Sequence, residues 1–373
     1  MPESKPKAFA SQGDVAEKTV SFTEIGRDLW AFTAEGDPNT GVIIGDDSVM
    51  VVDAQATPRL AGKVIEKIRT VTDKPVKHVV LTHYHAVRVL GASAYRASEI
   101  IMSKTARAMV VERGKEDWDS EFQRFPRLFE GHESIPGLTW PTLTFQDRAT
   151  FYLGKRRVDL RHLGRAHTAG DIVAFAPDAN VMFTGDIVEY RSACYCGDGH
   201  FRDWPMTLES IRAFDVDAIA PGRGAALVGK EKVREALDAT GDFLVSTYRP
   251  VARTARSGGS LKDAFDACRA VCDPKFAALR DLRALPAVQR RARLRRSARH
   301  RYAADLDRRA GSRDVGGAAG LAHRRDDVGR LFPSKVRLST GCRGTDLGPR
   351  KRLRFLSRRP LTSAGDRSGN FTR

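Results

Sequence analysis

Apolar residues in the first half of the chain alternate between short runs and segments with helical spacing. Two β-branched runs, 42–44 and 49–52, flank the turn formers Gly45-Asp46-Asp47 and predict a hairpin of buried strands. An amphipathic helix is predicted next, because the following apolar residues recur at intervals of three and four: Leu60, Val64, Ile65 and Ile68. Strands at 76–81 and 99–102, with a helix between them, complete a β-β-α-β-α-β order.

The second half of the pattern predicts further strands and then helices. Four short segments separated by turn formers predict a β-meander: 149–153, 158–163, 172–175 and 181–184. One short strand and three helices are expected after it: 218–220 for the strand, and the regions around 208–214, 229–247 and 260–272 for the helices. Residues 104–116 are predicted to be helical, whereas 117–145 has no clean period and is predicted to be an elaborated loop. The fold class that follows is α+β, with helices outside the sheets.

Charge divides the chain into two parts. The whole sequence has 63 Lys+Arg and 46 Asp+Glu, which gives a net charge of +17. Residues 278–373 hold 26 of the basic residues, 24 of them Arg, against eight Asp and no Glu. Residues 1–277 are therefore almost neutral, with 37 basic and 38 acidic residues. The basic character of the chain belongs to this Arg-rich tail and indicates nothing about the partner of the rest.

We divide the chain into a polar N-terminal segment at 1–19, a folded domain at 20–277 and the Arg-rich tail at 278–373. Three interpretations of the tail stay open. In the first, the tail is a nucleic-acid-binding arm, because clustered arginines pair with phosphates. In the second, it is a disordered appendage. In the third, it is a frame-shifted translation, which the abrupt change in composition after Ala277 favours. Nucleic acid is an expected partner only if the tail is genuine.

The N-terminus is polar and the sequence has no apolar run of membrane-spanning length. We therefore expect a cytoplasmic protein with no membrane partner; the sequence does not predict an oligomeric state. The five cysteines are few and unevenly spaced, which favours reduced thiols over a disulfide framework: Cys194, Cys196, Cys268, Cys272 and Cys342.

Histidines and an aspartate stand at the ends of predicted strands. Thr82-His83-Tyr84-His85 follows the strand at 76–81, His167 lies in the segment 164–171 after another strand, and Asp186 closes Phe183-Thr184-Gly185-Asp186. Strand ends can converge on one ion, and histidine is the commonest ligand for divalent metals at neutral pH. The pattern therefore predicts a zinc site with four ligands: His83, His85, His167 and Asp186.

These segments, in this order, resemble the metallo-β-lactamase superfamily. Its pattern is Thr-His-x-His-x-Asp-His, then His-Thr-x-Gly-Asp, Thr-Gly-Asp and Pro-Gly-His, and the resemblance covers roughly residues 20–275. It implies an αββα sandwich with the metal site at one edge of the two sheets. It also implies that the three histidines hold a first metal, that Asp186 bridges towards a second, and that Asp53 supports the site loop.

The chain departs from the family pattern at all three ligands that belong to the second metal alone. Val87, Arg88 and Arg223 stand where the family has Asp, His and His. We therefore predict one zinc ion, with iron less favoured. Because guanidinium groups suit carboxylates and other anions, we predict that both arginines face the second-metal position, next to Asp186 or a substrate anion. The alternative is that both point to solvent.

The resemblance and the single site imply a zinc-dependent hydrolase that cleaves an ester, thioester, lactone or β-lactam bond through a metal-bound hydroxide. The resemblance also implies a small-molecule substrate. Asp186, Arg88 and Arg223 are the candidate catalytic residues, and the arginines favour a substrate that is anionic. If Asp186 completes a tetrahedron with the histidines, the site resembles a closed structural zinc instead.

Two other functions stay open. A non-catalytic binding or structural descendant of the fold is favoured by the missing Asp-His pair, which Val87 and Arg88 replace, since the family's carboxylate there can orient or deprotonate the attacking water. A mononuclear iron oxygenase resembling persulfide dioxygenases is favoured by the two-histidine, one-carboxylate subset of the ligands.

Overall fold

The computed structural model describes residues 10–279. Residues 1–9 and 280–373 lie outside the described residues. Only the first two residues of the Arg-rich tail are described. The prediction for the tail, with its three interpretations, and the prediction for Cys342 therefore fall on residues outside the described ones.

Two mixed β-sheets form the centre of the fold. The first has seven strands in sequence order: Val20–Gly26 (β1), Leu29–Ala34 (β2), Thr40–Ile44 (β3), Val49–Val52 (β4), Val76–Val80 (β5), Glu99–Ser103 (β6) and Leu143–Phe145 (β7). The second has six strands: Arg148–Leu153 (β8), Arg156–Arg161 (β9), Val173–Ala176 (β10), Val181–Glu189 (β11), Ala218–Arg223 (β12) and Leu227–Val228 (β13). In the second sheet too, adjacent strands are consecutive in the sequence, and the order runs from β13 at one edge to β8 at the other.

The described residues form six α-helices: Pro58–Arg69 (α1), Ala86–Val89 (α2), Lys104–Arg124 (α3), Trp204–Arg212 (α4), Lys230–Arg256 (α5) and Leu261–Phe276 (α6). Short 3-10 helices lie at Ala10–Gly13, Ala92–Tyr95, Pro126–Phe129 and His132–Ser134. The start of α1 is fixed locally, because the Thr57 hydroxyl accepts a hydrogen bond from the Leu60 amide at 3.2 Å and Pro58 needs no amide partner. None of the helices in residues 10–279 has the length and apolar character needed to cross a membrane.

Three apolar clusters show how the layers pack. One lies between the sheets and draws side chains from both, such as Met50 and Phe183. A second packs α1 and α3 on the outer face of the first sheet, and a third packs α4, α5 and α6 on the outer face of the second. The layer order is therefore helix, sheet, sheet, helix, which confirms the predicted αββα sandwich.

Most predicted elements are present, including the 42–52 hairpin, in which Ile44 pairs with Val49. The prediction of a loop over 117–145 was wrong at both ends, since α3 continues to Arg124 and β7 covers 143–145. The buried positions of α3 after Gly114 are Asp117, Glu121 and Arg124, which keep the helical period but are charged. An apolar periodicity therefore could not reveal this part of the helix.

Candidate metal centre

Three histidine side chains converge at one edge of the sandwich. His83 follows β5, His85 is the residue before α2, and His167 lies in the loop between β9 and β10. One ring nitrogen of each lies within 4.8 Å of the other two, and all three side chains are buried. His85 Nδ1 and His167 Nε2 are 2.9 Å apart. The ring nitrogens face a common point, as the ligands of one ion do.

The donor set fits a metal ion. His83 Nε2 is buried and has no hydrogen-bond partner among residues 10–279, and an unsatisfied buried group of this kind lowers stability. Burial puts the pKa of His83 well below its usual range and lowers the pKa of His167 to about 3. Both rings are therefore neutral at physiological pH, which is the form that binds a metal.

His85 differs from the other two histidines because carboxylates lie behind it. Its Nε2 is 3.1 Å from Asp198 Oδ2 and 3.8 Å from Asp117 Oδ1. Burial lowers the pKa of His85, but the charges of Asp117 and Asp198 outweigh burial and raise it to about 9. His85 thus presents Nδ1 to the other histidines while its Nε2 contacts these acids.

Asp53 supports the loop that carries His83. It follows β4 in the left-handed backbone region, with φ of 64°. Its Oδ1 accepts a hydrogen bond from the Thr82 amide at 2.8 Å, and its Oδ2 accepts one from the Thr82 hydroxyl at 2.9 Å. Thr82 Oγ1 lies 3.0 Å from His83 Nδ1, so the chain of contacts reaches the ring. The supporting role predicted for Asp53 is confirmed.

A buried ion pair joins Arg88 to Asp186. Arg88 Nη2 donates to Asp186 Oδ1 and, at 2.6 Å, to the Gly222 carbonyl, while Nη1 donates to the Asn39 carbonyl at 3.0 Å. The Arg88 side chain is 0% exposed and the Asp186 side chain 3%. A side chain at Gly222 would collide with Asp186 Oδ1, so glycine is required at this close approach.

Asp186 turns its other oxygen towards the histidines. Its Oδ2 is 3.6 Å from His83 Nε2 and 3.5 Å from His167 Nε2. Burial alone would raise the pKa of Asp186, but the charge of Arg88 holds it well below the usual range. The carboxylate is therefore ionised and lies between a guanidinium and the candidate metal position.

Arg223 lies on the same side of the site, at the end of β12. Its side chain is 9% exposed, its Nη1 donates to the Gly36 carbonyl at 2.9 Å, and its Nε is 3.9 Å from Glu189 Oε2. Glu189 forms a second group with His167 and Asp186, whose ligand atoms lie within 4.8 Å of one another. Both arginines are buried at the site, so the alternative that they point to solvent is wrong.

A cleft of about 30 Å³, room for about two water molecules, opens onto the site. It is lined by a mixture of charged, aromatic and apolar side chains: His85, Val87, Glu121, Arg124, Phe125, His167, Asp186, Ala193, Tyr195 and Arg223. Arg124 pairs with Glu121, and its guanidinium carbon lies 4.4 Å from the centre of the Tyr195 ring. Arg88 lies behind Asp186, outside this lining.

Sequence reasoning missed several residues of the site. Glu121 and Arg124 come from the part of α3 predicted as a loop, and Asp198, Tyr195 and Glu189 lie outside the motifs. Of the aromatic residues in 117–145, Phe125 lines the cleft, whereas Phe129 is buried in the core and Trp140 is half exposed. The four described cysteines are free thiols, as predicted: Cys194, Cys196, Cys268 and Cys272.

Comparison with known proteins agrees with this geometry. The chain matches the metallo-beta-lactamase superfamily over residues 33–223, just over half of its length. It is 24% identical over 249 residues to a linear primary-alkylsulfatase from Pseudomonas sp., covering 58% of this chain and 47% of that protein. It is also 23% identical over 218 residues to a metallo-beta-lactamase type 2 from Bacillus cereus, covering 55% of this chain and 77% of that protein.

A solved structure supports the fold. The inverting sec-alkylsulfatase Pisa1 from Pseudomonas sp. superimposes with a TM-score of 0.54 at 14% identity, covering 65% of this chain and 44% of that one. The chain spans about half the length of each alkylsulfatase that it matches. At this identity the likeness concerns the fold alone.

Proposed function

Because the chain belongs to the metallo-beta-lactamase superfamily, we propose that it is a hydrolase that uses a single zinc ion held by His83, His85 and His167. The observation that carries this proposal is the buried pair of Arg88 and Asp186. In the family pattern, Asp186 bridges to a second metal, whereas here its Oδ1 is bonded to a guanidinium. The positive charge that a second ion would provide is supplied by the protein.

The same pair argues against a closed structural site. Arg88 compensates the charge of Asp186 and competes with any metal for its lone pairs. The three histidines would then hold the ion without a fourth protein ligand, as in catalytic zinc sites. A zinc ion bound there supplies a Lewis acid and lowers the pKa of a coordinated water.

Asp186 and the arginines have separate roles in this proposal. Asp186 Oδ2 accepts a hydrogen bond from a water in the cleft and orients it, and because Asp186 is strongly ionised it is a poor proton acceptor. Arg88 keeps Asp186 in place. Arg223, which reaches the cleft, binds an anionic group of the substrate or the developing oxyanion, together with Arg124.

The charges that line the cleft restrict the substrate. Arg223 and Arg124 both line it, which favours a substrate with an anionic group. We propose a small anionic substrate with an ester, thioester, lactone or β-lactam bond. The alkylsulfatase relative adds sulfate esters to the bonds that merit a test.

Elemental analysis and a turnover screen of the purified full-length chain test the proposal. One zinc per chain is expected, and the double variant His83→Ala, His167→Ala should lose it. The control is His132→Ala, since that side chain is 55% exposed and lies outside the histidine cluster. Two metals per chain would contradict the single site, and a bound metal without turnover of any of the five bond types would favour a non-catalytic descendant.

A mononuclear iron oxygenase is the second candidate. It is favoured by the position of Asp186 Oδ2, within 3.6 Å of His83 Nε2 and His167 Nε2, which together form a two-histidine, one-carboxylate set. The bond from Arg88 to the same carboxylate weighs against it. Iron in the purified protein together with oxygen consumption would replace the hydrolase proposal by this one.

A further inference from the structure

Asp198 is a buried carboxylate directly behind His85. It lies in the loop 190–203 between β11 and α4, and its side chain is 3% exposed. Its Oδ2 is 3.1 Å from His85 Nε2 and accepts a hydrogen bond from the Tyr84 hydroxyl. Its Oδ1 accepts a hydrogen bond from Arg113 Nη1 at 3.1 Å. Three contacts from two other elements therefore fix this carboxylate in place.

The contact with Asp198 determines which nitrogen of His85 is available. An ionised carboxylate only accepts hydrogen bonds, so Nε2 is the protonated nitrogen that donates. Nδ1 is then the nitrogen left to bind a metal, and it is the one that faces His167 Nε2 at 2.9 Å. A histidine ligand whose second nitrogen is held by a carboxylate is fixed in both tautomer and ring orientation.

Asp117 is the other acid near His85, but it binds the backbone next to His85 rather than the ring. Its Oδ1 is 3.8 Å from His85 Nε2, beyond hydrogen-bond distance. Its Oδ2 accepts a hydrogen bond from the Ala86 amide at 2.8 Å, at the start of α2. Asp117 therefore holds the backbone after His85, and Asp198 holds the ring.

We propose that Asp198 is the positioning residue for His85 and makes the loop 190–203 part of the metal centre. The proposal rests on the proposed function only in placing a metal at the three histidines. The same loop carries Tyr195, whose ring centre is 5.5 Å from that of His85 and 5.9 Å from that of His167. One loop thus orients a ligand from behind and covers the histidines on the cleft side.

The affinity of the full-length chain for zinc, measured by competition with a chromophoric chelator, tests this inference. Asp198→Ala should weaken zinc binding about 10- to 100-fold, and Asp198→Asn should weaken it less, because an amide oxygen can still accept from Nε2. The matched control is Asp159→Asn. Asp159 is equally buried and pairs with Arg157 and Arg161 on β9, away from the histidines.

Tyr84→Phe is a second variant for the case in which Asp198→Ala does not fold. Tyr84→Phe removes one donor to Asp198 without changing shape, and should weaken zinc binding by a smaller factor, with a shifted visible spectrum of the cobalt-substituted protein. Zinc affinities of Asp198→Ala or Tyr84→Phe within twofold of that of the Asp159→Asn control would overturn the inference. If the wild-type protein binds no metal, the inference and the proposed function are both wrong. If metal binding depends on Asp198 but no substrate is turned over, the inference stands and only the proposed hydrolase activity is wrong.

Discussion

Removing the Arg88 guanidinium should destabilise the protein strongly, because it leaves a buried carboxylate without its ion-pair partner. The variant Arg88→Met keeps the length and apolar stem of the side chain but leaves Asp186 ionised, 3% exposed and without its main partner. Breaking a buried pair by removing one partner costs about 3–5 kcal/mol. For a domain of this size, that corresponds to a decrease in melting temperature of roughly 6–20 °C.

Zinc and pH should both change the size of this loss. Zinc adds positive charge beside Asp186 Oδ2, so the deficit should be largest in chelator and smaller with the metal present. In the wild type, the lowered pKa of Asp186 gives stability that is present above the ordinary carboxyl pKa and is lost as pH falls through the lowered one. Without Arg88, burial raises that pKa instead, so the deficit should shrink as pH falls.

Urea unfolding of metal-free protein, followed by circular dichroism, measures the effect. Arg156→Met is the matched control, because Arg156 is 6% exposed but pairs with Asp178, which is 41% exposed. That variant should lose only about 1 kcal/mol or less of electrostatic stability. An Arg88→Met variant that is no less stable than Arg156→Met, at neutral pH and in chelator, would refute the view that Arg88 compensates a buried charge.

Three further predictions concern metal number, the cleft and the tail. The triple variant Val87→Asp, Arg88→His, Arg223→His restores the family ligands and should raise the zinc content from one towards two per chain by elemental analysis; an unchanged content would contradict the idea that arginine replaces the second metal. Arg223→Gln and Arg124→Gln should each lower kcat/KM about 30- to 1000-fold for an anionic ester, equivalent to about 2–4 kcal/mol, but much less for its neutral isostere; equal losses for both esters would argue against an anion-binding role. A chain that ends at Ala277 should keep its zinc, whereas loss of zinc, or of a duplex-DNA gel shift seen with the full-length chain, would show that the tail is functional.

The three histidines could be predicted because each follows a short strand that the apolar pattern predicts. His83 and His85 follow a short apolar strand, and His167 follows another, so the positions of their backbones were set by the ends of the strands. The order of these segments along the chain then matched the order of the motifs in the metallo-β-lactamase pattern. Asp186 was predicted in the same way, although the strand that carries it continues to Glu189 rather than ending at the aspartate.

The acids and bases around the histidines could not be predicted, because nothing local marks them. Asp198 lies in an irregular loop and contacts a histidine 113 positions earlier in the chain. Glu121 and Arg124 occupy the buried face of α3, where apolar residues are expected, and they neutralise each other there. When the hydrogen-bond partner of a buried polar residue lies far away in the chain, the residue's own segment does not reveal that it is buried.

The pairing of these charges explains how arginines fit at positions where the family pattern has metal ligands. Arg88 contacts Asp186, and Arg223 approaches Glu189, so each guanidinium has a carboxylate of its own. Glu189 lies directly across the sheet register from Arg223, between neighbouring strands β11 and β12. A divalent ion in the same place would depend on ligand protonation and metal supply, whereas the two guanidinium groups are charged at any physiological pH. In the proposed function, two ion pairs therefore occupy the edge of the sandwich beside the histidines, and a single metal position depends on metal supply.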